Sequence, residues 1–340
     1  MKILVTGDRG YIGSVLVSKL LKSGYEVAGL DIGFADEDGA FKNNLNYLKV
    51  TKDIRDVNKK DLEGIDAIIH LSALSNDPIG EINPKLTNDI NYKSTLKLAR
   101  IAKKIGVKRF IFSSSCSVYG IAKTEWVDEK SVANPLTAYA KSKVLSEKNL
   151  IKLSSKNFCV AIMRNSTVYG FSPMFRNDLV VNNLVTCALA LNKIKVLSDG
   201  SPWRPLIDVR DLSDIFIKFL EVDAKKINGR IVNVGFNENN FTVKEVVEKV
   251  HSALPKTEIV FTNEHGSDSR SYRVKFDILK KTFPNLVQKW PMNKSIKNMI
   301  SNLKKLDFDK EDFESGRFTR ISALKKLIND GKLDDNLRLQ

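Results

Sequence analysis

The chain has 340 residues, 42 % of them hydrophobic, and carries 55 Lys and Arg against 40 Asp and Glu, a formal charge of +15. That length fits one large α/β unit or two fused domains with a sizeable core. No apolar run reaches the ~20 residues that cross a bilayer. Met1-Lys2 leads directly into Ile3-Leu4-Val5 and a glycine loop, without the apolar stretch of a signal peptide, so the expected location is the cytoplasm. Cys116, Cys159 and Cys187 are odd in number and far apart, and His70, His251 and His265 fall in no ligand spacing. Neither a disulfide framework nor a metal site is expected. The lysines are scattered through helical patterns and not gathered in one block, which reads as a solvated surface and not as a face for nucleic acid or membrane.

In chain order, the first half alternates β-branched runs with helical patterns. Strands are expected at Lys2–Thr6, Glu26–Asp31, Tyr47–Val50, Ala67–Leu71, Arg109–Ser113 and Phe158–Arg164, and helices at Tyr11–Ser23, Pro84–Ile105 and Thr137–Leu153. Strands that are apolar throughout, such as Ala67-Ile68-Ile69, suit a parallel sheet covered on both faces. The order predicts an α/β fold, a doubly wound parallel sheet of Rossmann type over residues 1–170. Beyond it the pattern loosens. Helices are expected at Asp178–Leu191, Asp211–Val222, Thr242–Ala253 and Ser295–Lys305, with short strands at Lys195–Leu197, Ile231–Val234 and Glu258–Phe261. Residues 171–306 read as a smaller, mixed α/β substrate domain with segments crossing between the two. Residues 307–340 read as a helical tail, with Ile321, Leu324, Leu327 and Ile328 on one face.

The loop Thr6-Gly7-Asp8-Arg9-Gly10-Tyr11-Ile12-Gly13 follows the first strand and opens the first helix. Its glycines permit a tight turn and bring backbone N–H groups close to a pyrophosphate at the helix N-terminus. Asp31 ends the second strand at the distance where an acid accepts from adenosine ribose hydroxyls. A carboxylate there repels a 2′-phosphate, which favours NAD over NADP; Arg9 is positioned either for the pyrophosphate or for a 2′-phosphate. Further on, Tyr139 and Lys143 stand four apart on one helix face. An ammonium beside a phenol favours the phenolate, so the pair can take a proton from a hydroxyl as hydride leaves the same carbon. Ser115, at the end of the strand beginning at Arg109, lies where hydroxyls point into the ligand crevice.

Taken together, TGDRGYIG, Asp31, Asp53-Ile54, His70-Leu71-Ser72-Ala73, Asn91, FSSSCSVYG, YAKSK and MRNSTVYG resemble, in order and spacing over residues 1–280, the extended short-chain dehydrogenase/reductases. The closest likeness is to their nucleotide-sugar epimerase/dehydratase branch. The resemblance implies Tyr139 as base, Lys143 on the nicotinamide ribose and Ser115 on the substrate hydroxyl. It implies a coenzyme site of Gly7, Arg9, Gly10, Tyr11, Ile12, Gly13, Asp31, Asp53, Ile54, Leu71, Ala73 and Lys143. A nucleotide-diphosphate sugar would meet Ser75, Asn76, Ser115, Cys116, Ser117, Asn165, Arg176, Asn182, Asn183, Arg204 and Arg270, with Arg204 gripping the diphosphate through its planar fork. Asn91 would support sheet and site, with Ser94 replacing the family's usual glycine. A homodimer is also implied.

Departures from the family pattern bear on the reaction. The 4,6-dehydratases carry an acidic pair where this chain has Cys116 and Ser117, and UDP-glucuronate decarboxylases carry a glutamate at the second position. Both reactions are disfavoured. A cysteine-dependent C3/C5 epimerisation would need the thiol one residue later. The leading reading is oxidation of a sugar hydroxyl at C4 by NAD, rotation of the 4-keto sugar and reduction on its other face. A 4-keto reductase or C4 dehydrogenase that exchanges its coenzyme is the enzymatic alternative. A dinucleotide-binding regulatory or RNA-binding protein is the non-enzymatic one, supported only by the charge.

Overall fold

The computed structural model describes residues 1–34, 45–121, 124–262 and 270–340. His265 and the Asp268-Ser269 part of the Arg270 motif lie outside the described residues. The core is a seven-stranded sheet. It is built from β1 (Lys2–Thr6), β2 (Glu26–Asp31), β3 (Leu48–Thr51), β4 (Ala67–His70), β5 (Arg109–Ser115), and then Cys159–Asn165 and Arg230–Val234. All pairings are parallel, and the spatial order is β3-β2-β1-β4-β5, then Cys159–Asn165, then Arg230–Val234. Alternate residues of one strand feed opposite faces. In β1, Ile3 and Val5 join Leu16, Val17 and Leu20 of helix α1 (Tyr11–Lys22), whereas Leu4 joins Leu98, Ala99 and Ala102 on the other side. The doubly wound arrangement follows, and the direction of crossover reverses between β1 and β4. That reversal opens a crevice at the carboxyl ends of the strands.

Helix formation between Pro84 and Ile105 is interrupted. Pro84–Asn88 is α-helical, Asp89–Lys93 forms a π-helical turn, and the α-helix resumes at Ser94–Ile105. The Asn91 side chain accepts from the Leu74 N–H (2.8 Å) and donates to the Leu74 carbonyl (3.2 Å) and to Ser142 (3.3 Å). Its own carbonyl takes the Thr95 hydroxyl at 2.7 Å. Single π-turns inside helices are frequent at functional sites. Ser94 bonds the Ile90 carbonyl.

The second region holds a mixed sheet of Thr167–Tyr169, Trp203–Asp208 and Asn240–Thr242, parallel in the first pairing and antiparallel in the second. Lys193–Val196 pairs with Glu258–Phe261 in parallel. Tyr169, Val185, Leu206, Val247 and Met299 form its core. The chain crosses back: Arg230–Val234 completes the main sheet, and helix Val209–Glu221 buries Leu212, Phe216 and Phe219 against α1. Among the described residues no helix is long and apolar enough to cross a membrane, and no cluster of three potential metal ligands occurs.

Candidate active site

The crevice holds a cavity of about 690 Å³ reaching from the β2–β3 edge to the second region. At its floor the glycine loop fits a dinucleotide. Gly7 has φ +76°, and a Cβ on it would stand 2.9 Å from the Ser72 nitrogen; a Cβ on Gly13 would stand 2.0 Å from the Gly7 carbonyl oxygen. The backbone is thus packed closely enough to leave room for a pyrophosphate against the first turn of α1. Asp31 accepts the Gly33 N–H at 2.8 Å. Arg9 donates to the Asp31 carbonyl (2.5 Å) and the Thr51 hydroxyl (3.1 Å), which sets its guanidinium at the β2–β3 edge and away from the helix N-terminus. Gly7, Arg9, Gly10, Tyr11, Ile12, Gly13, Asp31, Asp53, Ile54, Leu71 and Ala73 all line the cavity. Beneath the loop Asp8 is buried against Gly29 and takes the Tyr47 hydroxyl at 2.7 Å. Burial pushes its carboxyl up to about 6, against the Tyr47 bond.

Helix Ala138–Ile151, capped by the Thr137 hydroxyl, brings Tyr139 and Lys143 to the end of β5, where Ser115 stands. The Lys143 ammonium donates to the Ser113 carbonyl (2.7 Å) and lies 5.5 Å from the centre of the Tyr139 ring. Burial pushes its pKa down to about 7, against the pull of Glu147. The Tyr139 phenol is pushed up to about 12, first by burial and then by Asp77. A hydrogen bond from Ser115 and the charges of Arg176 and Arg270 act the other way. Burial thus outweighs the nearby hydrogen bond and cations in the balance on the phenol. Behind this group Glu147 accepts from Ser114 (2.5 Å) and from Arg164 (3.0 and 2.7 Å), all buried.

On the substrate side, Arg176 forks onto Asp178 (2.9 and 2.7 Å) and reaches Ser75 (3.2 Å), and Asn76 donates to Asp178 (2.8 Å). Arg270 pairs with Asp77 at 2.7 Å, and Arg204 donates to the Trp203 and Arg270 carbonyls. Asn183, Ser117 and Asn165 line the cavity, and the buried Ser117 Oγ and Asn165 Oδ1 have no protein partner. Among the described residues seven cationic side chains and four carboxylates line the cavity, a balance that favours diphosphates.

One side chain stands otherwise than expected. Asn182 is fully buried, accepts the Gly170 N–H (2.9 Å) and donates to the Arg176 carbonyl (2.9 Å), so it braces the loop that carries Arg176 instead of contacting substrate. The Tyr11 hydroxyl is committed to the Gly170 carbonyl at 2.6 Å. The Cys116 thiol faces the Arg164 carbonyl at 3.2 Å, and burial pushes its pKa up, which suits packing and not reactivity. His70 lies between Thr6 (2.6 Å) and Thr95 (2.7 Å), with burial pushing it down to about 3. Sequence reasoning missed Asp77 and Asp178. Asn76-Asp77-Pro78 does carry a helix-start signature, and helix Asp77–Ile82 begins there with Asn76 as its cap.

A glycine cradle, an acid ending β2 and a Ser-Tyr-Lys group at the switch point define a dinucleotide-dependent oxidoreductase site. The chain belongs to the NAD dependent epimerase/dehydratase family, whose pattern matches residues 3–235, and its coenzyme is NAD. Among similar proteins, the UDP-glucose 4-epimerase of Mycolicibacterium smegmatis is 31% identical over 271 residues, covering 75% of this chain and 82% of the relative. The UDP-glucuronate 4-epimerase of Thermodesulfobacterium geofontis is 26% identical over 285 residues, covering 78% and 84%. The crystal structure of a Thermotoga maritima UDP-glucose 4-epimerase with UDP-glucose superposes with a TM-score of 0.78 at 24% identity, covering 90% of this chain and 99% of that one.

Proposed function

We propose that the protein is a nucleotide-sugar epimerase that oxidises the C4 hydroxyl, lets the 4-keto sugar turn, and reduces it on the opposite face. The observation that carries this reading is the Ser115–Tyr139–Lys143 group beside the glycine cradle, with Cys116 and Ser117 where an eliminating enzyme needs acids. Bound NAD supplies the hydride acceptor and donor. Tyr139 takes the proton from the sugar hydroxyl and returns it, and Ser115 holds that oxygen in line. Lys143 stabilises the phenolate. Arg176, Arg204 and Arg270 hold the diphosphate while the sugar turns. The unpartnered Ser117 and Asn165 oxygens in the cavity lining support contacts to sugar hydroxyls. The names of the relatives support a uridine diphosphate carrier, and the homodimer belongs to the same reading.

The test is incubation with UDP-glucose, UDP-galactose and UDP-glucuronate without added coenzyme, followed by proton NMR. Interconversion of C4 epimers supports the reading. NADH accumulating with a keto sugar would replace it with a dehydrogenase, and an unsaturated or deoxy product with a dehydratase. Tyr139→Phe should lower kcat by about 10²–10⁴-fold with little change in KM. An unchanged kcat would remove Tyr139 from the chemistry.

A further inference from the structure

The family pattern ends at residue 235, well short of a C-terminal segment that closes one side of the cavity. Phe318 anchors the start of that segment in the second region. It packs on Phe175 and Phe308, with ring centroids 6.1 and 5.7 Å away, and its carbonyl takes the Asn177 N–H at 2.8 Å. Helix Arg320–Asn329 then crosses to the main sheet. It buries Ala323 and Leu324, and Leu324 joins the core cluster that contains Ile54, Leu74 and Ile79. Leu333 and Leu337 are buried in the same cluster. At the far end the Arg55 guanidinium donates to the carbonyls of Asn336 (2.8 Å) and Leu337 (3.1 Å). Arg338 pairs with Asp53 (3.3 Å) and Asp56, and Arg55 forks back onto Asp53.

We infer that this segment is part of the coenzyme site: it forms the outer wall over the adenosine half of NAD and slows its departure. Arg320, Ile321, Ala323 and Leu324 line the same cavity as Asp53 and Ile54. The apolar side chains offer a face for a flat heterocycle, and the arginine offers charge for the ribose-phosphate side. The wall is tied to the Asp53–Asp56 turn that forms the adenine end of the crevice. Opening this side is opposed by the burial of Leu324 in the core and by the Arg55 and Arg338 ties. A coenzyme held in this way is kept through many turnovers, which suits an enzyme that recycles its own hydride. The inference rests on the NAD dependence of the family and not on the choice of sugar, so its test contains no sugar.

Three proteins are compared with the full chain: one ending at Thr319, which keeps the Phe318 anchor, and full-length Leu324→Gln and Arg338→Ala. Each is loaded with NAD, and dissociation is followed by displacement with excess etheno-NAD. The shortened chain should release NAD at least ~10-fold faster and bind it correspondingly more weakly, with smaller increases for the two point variants. If the shortened chain unfolds cooperatively and releases NAD at the full-length rate, the inference is overturned. If it does not fold, the point variants decide: release at the full-length rate from both overturns the inference, and faster release from either sustains it.

Discussion

Lys143→Met should change how stability depends on pH, in a direction set by burial. Lys143 is 3 % exposed, and its ammonium is pushed from 10.5 down to about 7 in the folded protein. The unfolded chain keeps the ordinary value. Between about pH 7 and 10.5 the unfolded state therefore binds more protons than the folded one, and stability rises with pH. At about 1.4 kcal/mol per pH unit, a window of about 3.5 units amounts to about 5 kcal/mol of strain that the native lysine imposes at neutral pH. Methionine has no proton to lose and fits an unbranched slot. The stability of K143M relative to the native chain should be highest at or below pH 7 and should fall as pH rises. The assay is urea unfolding of both coenzyme-free proteins at pH 6, 7.5 and 9. Taking the difference cancels the titrating groups remote from Lys143, which behave alike in both. The gap should narrow by about 2–3 kcal/mol between pH 6 and 9. A gap constant to within about 0.5 kcal/mol would refute the burial argument.

Two further outcomes are expected. Gly13→Ala should abolish measurable NAD binding by calorimetry, since its Cβ would meet the Gly7 carbonyl at 2.0 Å; Gly24→Ala, with nothing within 4 Å but φ +80°, should cost only about 1–2 kcal/mol of stability and leave NAD affinity intact. Glu147→Gln should destabilise the fold by about 3–5 kcal/mol in chemical denaturation, because Arg164 is left buried without its counter-charge, and E147L/R164M should recover much of the loss. Native stability in the single variant would contradict the buried pair.

Much of the first half was legible because its signals are local. Strands buried on both faces show as unbroken runs such as Ile3-Leu4-Val5, and β1, β2 and β4 lie within a residue of expectation. Glycine spacing and the Tyr139–Lys143 offset are short-range constraints, so the glycine loop and the helix that carries both side chains to the cavity were readable too. What failed depends on distant partners. The π-turn at Asn91 coincides with bonds to Leu74 and Ser142, and helical periodicity is blind to such distant partners. Asn182 and Arg176 look alike as polar residues around the start of one helix; only the fold decides that one braces and the other faces the cavity. Strand Trp203–Asp208 was hidden by Pro205, which stands opposite Asn240 in the antiparallel pairing. The tail reads as an amphipathic helix, but nothing in Ile321 or Leu324 says which surface receives it.

The seventh strand has a consequence for synthesis. Arg230–Val234 is the only sheet neighbour of Cys159–Asn165 on its outer side among the described residues, and about 65 residues separate the two in the chain. At ~5–20 residues per second, several seconds pass between the emergence of one and of the other. During that interval six strands can assemble with an apolar edge of Val160, Ala161, Ile162 and Met163 still open, a template for stray pairing with another nascent chain. Yield on rapid overexpression should therefore be limited by the wait for residue 234 and not by the stability of the finished fold, and holdase chaperones that recognise open strands should be its main helpers in the cell.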